Sequence, residues 1–262
     1  MKKINYYLRV WWMMSKNAFL AMLNHRMGVV IFTAGKVLRF TFFGAFIYFL
    51  LSKTNTLAGY TLHQTLFFFL TFNLIDVISQ FLFREAYRFR PLIVSGNFDL
   101  ILIKPINALF RSLMGGADIL DLFTIPPLIF AVYYVGSLLD PTASQVILYI
   151  ILVANGLVIS TAFHIAVLSL GIITLEIDHT IMIYRDLTNL GRLPIDIYKQ
   201  PLKGVLTYLV PVGVMITLPA KAMMGLVTPV GVAISFALGF IMMTLMLRFW
   251  KLALKQYTSA SS

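Results

Sequence analysis

Six long, mostly apolar stretches dominate the 262-residue chain, near 28–51, 62–83, 115–138, 145–170, 205–224 and 228–250. A helix needs about 20 apolar residues to cross a bilayer, and backbone amides in lipid must find their hydrogen-bond partners inside the protein. These stretches predict an all-α integral membrane protein, a single domain over 1–262 with six transmembrane helices. Composition points the same way: 60% of the residues are hydrophobic and 12% charged, against about 25% charged in soluble domains. Mean hydropathy is +0.87, which excludes a soluble globular enzyme.

The formal charge of +11 comes from 21 Lys and Arg against 10 Asp and Glu. In a soluble chain this balance would suggest nucleic acid, but the basic residues are distributed by loop. They cluster before the first span (Lys2, Lys3, Arg9, Lys16, Arg26), after the second (Arg84 to Arg111), after the fourth (Arg185 to Lys203) and in the tail, leaving Lys53 and Lys221 for the opposite loops. The positive-inside rule then predicts cytoplasmic termini in a cell-membrane protein whose partner is the lipid bilayer, with no nucleic acid bound. Arg9 breaks the apolar run after Met-Lys-Lys and no small-residue cleavage site follows, so a retained N-terminus is expected. Cysteine is absent, which removes disulfides and thiolate chemistry.

Residues 1–26 place Ile4, Tyr7, Leu8 and Trp11 at helical spacing among basic residues, the pattern of an interfacial amphipathic helix preceding the first span. Within the spans, Asn73, Asp76 and Gln80 share one helix face. From depth along the helices, an ion pair is expected between Lys36 or Arg39 and Asp76, with Asp118 and Asp121 as competing partners. Pro126–Pro127 should kink the third span. Pro211 and Pro219 suggest a broken, re-entrant fifth.

Catalytic signatures are missing. Gly35-Lys36 continues into Val37-Leu38 within a span, so no phosphate-binding loop exists, and no GxSxG elbow appears. The group Glu176-Ile177-Asp178-His179 is the only local acid–imidazole cluster, and a solvated helix end explains it without a metal. The chain is expected to be neither an enzyme nor a metal-binding protein.

Between Arg84 and Arg111 charge alternates with an apolar stripe, too short to span and too apolar to lie free in water. Such a segment is expected to rest on the membrane face and dock a cytoplasmic partner. Gly96-Asn97-Phe98-Asp99, followed by Lys104-Pro105-Ile106-Asn107, resembles the first signature of ABC transporter permeases of the type-2 exporter class. Arg192-Leu193-Pro194-Ile195-Asp196-Ile197-Tyr198, then Val210-Pro211 and Leu218-Pro219-Ala220, resembles the second. The resemblance covers essentially the whole chain and implies an exporter subunit working by alternating access. It implies a separate ABC ATP-binding subunit that binds ATP and Mg, with no cofactor in this chain, and a second permease copy or paralogue to complete a dimer. By that resemblance Arg88, Arg90, Gly96, Asp99, Lys104, Pro105 and Asn107 form the coupling loop, and Arg185, Arg192, Pro194, Asp196 and Tyr198 a secondary cytoplasmic contact. The competing reading is an ion-gradient-driven secondary transporter whose relay would be Lys36, Asp76, Asp118 and Asp121.

Overall fold

The computed structural model describes residues 2–24, 26–175 and 177–258, and among these the chain is helical with no strand. His25, Glu176 and residues 259–262 of the tail lie outside the described residues. Among the described residues five helices are long and apolar enough to cross a membrane. They are α2 (Arg26–Thr54), α3 (Leu62–Phe83, continued by short turns to Val94), α7 (Ile119–Ser137), α8 (Ala143–Thr174) and α12 (Pro229–Gln256). Before them comes α1 (Lys2–Leu23), and between α3 and α7 lie the short helices α4 (Phe89–Val94), α5 (Asn97–Leu102) and α6 (Ala108–Leu113).

Sequence sets the helix starts. Thr61 and Thr142 each cap a helix reciprocally with a Gln three residues on, Asp118 caps α7 and Thr228 caps α12, so orphan first-turn amides are satisfied at the membrane boundary. Pro126 and Pro127 do not end α7, which runs on to Ser137.

At about 1.5 Å per residue the 22 residues of α3 extend about 33 Å, so Tyr60 before it and Arg84 after it mark opposite ends of the bundle. Helix α1 packs at the Arg84 end, where Ser15 Oγ accepts from the Ala117 amide at 3.2 Å and Trp11 meets Phe81 edge-on. The main core joins α3, α7 and α8 through Phe67, Phe72, Ile75, Leu128 and Ile159. A second core at the Arg84 end packs Phe89 and Phe98 with Leu168 of α8 and Trp250 of α12. By contrast α2 buries only Ile47 and Leu51, leaving most of its apolar surface for lipid or another chain.

The stretch after α8 departs from expectation. Helix α9 (Ile177–Asn189) starts at the Arg84 end, where Asp178 pairs with Arg90 at 3.3 Å. It buries Ile177, Ile181, Tyr184 and Thr188, continues as a tight turn over Leu190–Arg192, and reaches the Tyr60 end, where Asp196 meets Tyr60. Residues 185–199 are therefore not one loop beside 84–111: they climb through the bundle. Next come two arms, α10 (Leu202–Leu209) and α11 (Gly213–Met223), bent by 75° at the break containing Pro211. Each contains one wide, π-type turn. Lys203 of the first arm and Lys221 of the second both reach Asp196, so the pair returns to the end it left, in the manner of a re-entrant segment.

Helix α11 runs close against α8. A Cβ on Gly156 would lie 2.5 Å from the Met215 carbonyl oxygen, backbone that cannot swing aside, so only glycine permits this crossing. On the next face of α8, Asn155 Nδ2 donates to Ser235 Oγ of α12 at 2.8 Å. Gly156→Ala is expected to destabilise the purified protein by roughly 1–3 kcal/mol, the usual penalty of overpacking, whereas Gly44→Ala, where a Cβ meets nothing within 4 Å, should leave it unchanged. Thermal melting in detergent reads the contrast; equal shifts would contradict the close crossing.

Candidate functional site

Three polar constellations stand out against the apolar bundle. The first lies where α2, α3, α7 and α9 meet, around a cavity of about 250 Å³ lined by Lys36, Arg39, Asp76, Arg84, Asp118, Asp121 and Arg185 among others. Lys36 pairs with Asp121, whose side chain is only 1% exposed. Arg39 stands 3.7 Å from Asp76, which also accepts from Gln80 Nε2 at 2.8 Å, and Arg84 lies 3.2 Å from Asp118. Of the expected partners of Asp76, Arg39 is the one found, and Lys36 goes to the competing Asp121. Arg84, not anticipated from sequence, claims Asp118. The carboxylates of Asp121 and Asp118 are buried, and removing the cation from such a pair strands a charge at a cost of about 3–5 kcal/mol, so these contacts fix α2 and the end of α3 against α7.

Arg185 faces the same cavity and, among the described residues, no carboxylate lies within ion-pair distance of it. Further along the chain, Arg192 is held over the rings of Phe43 and Phe72, 5.6 Å from each centroid, close enough to feel Arg39, Arg185 and Asp76. Both arginines are half-buried and face the cavity and the rings, while Asp196 and Tyr198 make other contacts. Pro194 is buried, and Tyr198 donates from its hydroxyl to the Leu190 carbonyl at 3.0 Å.

The second constellation is a hub at the Tyr60 end. Asp196 accepts from the Tyr60 hydroxyl at 2.9 Å and from Lys203 and Lys221 at 2.8 and 2.7 Å. It thereby ties the α2–α3 loop, the exit of α9 and both arms of the bent pair. Burial pushes its pKa up, but the hydrogen bonds from Lys203 and Lys221, the Lys221 charge and the Tyr60 hydroxyl outweigh it and hold the carboxyl at about 2.

The third is the 84–113 platform at the Arg84 end. Gly96 takes a left-handed φ of +72° as the chain turns from α4 into α5, a conformation favouring glycine, and Asn107 caps α6 by accepting from the Phe110 amide at 3.0 Å. Phe98 plugs into Phe89, Trp250 and Tyr257. Burial and Asp99 push the Tyr257 hydroxyl up to about 12. Glu85 and Arg111 close the platform at 2.7 Å. Arg88, Arg90, Leu100, Leu102, Ile103, Lys104 and Pro105 are left exposed. The expected coupling-loop residues therefore occupy one compact, anchored surface.

Because the folded pKa of Asp196 is depressed, its contribution to stability is complete above its unfolded value near 4 and is lost as pH falls toward about 2. Asp196→Asn is expected to lower stability at neutral pH by roughly 1–3 kcal/mol, the worth of hydrogen bonds to a charged group. The gap to wild type should close between pH 4 and pH 2 in detergent melting curves; a gap independent of pH would contradict the hub.

No curated protein and no solved structure is matched by this chain. A family model does match: that of the ABC-2 family transporter proteins, over residues 37–261. This match takes in α2 from residue 37, all of α3, α7, α8 and α12, the climbing α9 and the two bent arms, and with the apolar helices it makes the chain a multi-pass membrane protein that belongs to the ABC-2 transporter family.

Proposed function

We propose that the chain is the membrane-spanning permease subunit of an ATP-driven exporter, energised by a separate ATP-binding subunit seated on the 84–113 platform. The observation that carries this reading is the platform itself: exposed Leu100, Ile103 and Lys104 stand on a base pinned by Phe98, Phe89 and Trp250. A rigid apolar tip with a basic rim suits docking into a groove of a soluble partner, because little entropy is lost on binding. The anchor into α12 would also pass motor movement to the bundle. Hydrolysis of ATP, with its Mg, falls to the partner, and the exposed face of α2 is offered to a second permease copy or paralogue.

Orientation follows from charge. Helix α1, the platform and the last turns of α12 carry most of the basic residues, against Lys53, Lys199, Lys203 and Lys221 at the Tyr60 end. The positive-inside rule then puts the Arg84 end, with both termini, in the cytoplasm of a cell-membrane protein. With α9 as the fifth crossing and the two arms staying at the outer side, six crossings result. A gradient-driven relay is the weaker reading, because Asp76, Asp118 and Asp121 each already hold a cation.

The test is co-purification of the ATP-binding subunit with the permease in detergent. Combining Ile103→Asp with Lys104→Glu should reduce the retained subunit at least about tenfold, as loss of an interface hot spot implies, while the permease itself stays monodisperse. Full retention would refute the assignment of the platform.

A further inference from the structure

We propose that the cleft between α2, α3 and α7 binds an anionic amphiphile, with its charged headgroup in the cationic cavity and its apolar body along the adjoining wall, and that this is the substrate class the permease moves. The first clause stands on geometry alone; the second rests on the exporter reading above.

Charge is the starting point. Lys36, Arg39, Arg84 and Arg185 line the cavity against Asp76, Asp118 and Asp121. Three ion pairs consume the carboxylates and leave Arg185 over, with Arg192 near enough to feel its charge. The Arg84 Nε is buried, and its 3.2 Å approach to Asp118 is misaligned for a hydrogen bond. An excess guanidinium at membrane depth is costly unless an anion or water completes its shell, and guanidinium matches phosphate or carboxylate oxygens in a planar fork.

Shape adds the second half. A larger cavity of about 450 Å³ adjoins the first, and Phe40 borders both. Its wall is almost wholly apolar, with Phe69, Leu70, Phe123, Pro127 and Ala131. Along α3 it lies beyond Asp76 and along α7 beyond Asp121, toward the Tyr60 end. From Asp121 to Val135, its far limit on α7, the helix rises about 21 Å, most of a hydrocarbon core of ~30 Å. A free inorganic anion would use the cationic part and gain nothing from this wall. A neutral lipid would fill the wall and leave Arg185 without a counterion.

The experiment uses the full-length permease, purified in neutral detergent without its ATP-binding subunit, so its outcome is independent of the docking test. Phosphatidylglycerol carrying a fluorescent acyl chain is titrated and then displaced by unlabelled phosphatidylglycerol, phosphatidylcholine or inorganic phosphate. Saturable binding is expected, displaced by phosphatidylglycerol and at least about tenfold less readily by the other two, as one lost charge-assisted contact or the lost apolar contact implies. Arg185→Gln should weaken binding about tenfold on the same ground, with affinity partly recovered in Arg185→Lys, which restores the charge but not the planar fork. Ala131→Phe, filling the wall, should weaken it without changing charge. Displacement by phosphatidylcholine as good as by phosphatidylglycerol would overturn the headgroup assignment. Equal displacement by phosphate would overturn the amphiphile, and unchanged affinity in both Arg185→Gln and Ala131→Phe would overturn the location.

Discussion

A bilayer core supplies no hydrogen-bond partners, so every polar group placed in it must be met by another group of the same protein. That constraint organises this transporter subunit at each level. It makes the spans helical, it brings Lys36, Arg39 and Arg84 to the carboxylates of α7 and α3, and it decides where a polar crossing segment can run. Helix α9 carries Asp178, Arg185 and Asp186 in 13 residues and could not face lipid alone. Inside the bundle, Tyr184 packs on the α8 side with Ser160 while Arg185 turns to the cavity.

The Asp196 hub and the cavity cluster hold α9 at two levels. Helix, tight turn and the extended Leu193–Pro194 together span the bundle, since extended residues rise about 3.3 Å each against 1.5 Å in a helix. A helix too short to run the length of the bundle by itself therefore does so with its continuation. The strength of the anchors is graded by burial. The exposed Arg90–Asp178 pair contributes about 0–1 kcal/mol, whereas the Lys36–Asp121 and Arg84–Asp118 pairs, with buried carboxylates, are costly to break. Motion of the platform would thus be felt first where α9 enters the bundle and last at the cluster.

Five of the six apolar windows are legible in the sequence because a span's signal is local: about 20 apolar residues between polar ends. The fifth window shows its apolar length and its prolines in the same local way, but not how its two arms lie. Residues 205–224 are apolar enough to span, yet Lys203 and Lys221 share one carboxylate, and no local pattern announces a contact between side chains so far apart in the chain. In the proposed topology the fifth crossing is α9, whose charges look like a solvated loop until Arg185 and Arg192 are seen to face a cavity and two aromatic rings. Among site residues, the platform is readable from Gly96, Asn107 and the mix of apolar and basic side chains. Lys36, Arg39 and the carboxylates are readable as charges at matching depth, but which cation meets which anion depends on helix rotation. Arg84 and Tyr60, at helix boundaries, carry no signal of their roles.

In the proposed topology α9 carries the chain from one side of the membrane to the other. The chain lacks cysteine, so Lys104→Cys and Lys199→Cys, both at exposed positions, can each be probed with a membrane-impermeant maleimide on intact cells. Labelling of the cysteine at 199 in intact cells, and of that at 104 only after permeabilisation, is the predicted result. Labelling of both positions under the same condition would contradict it.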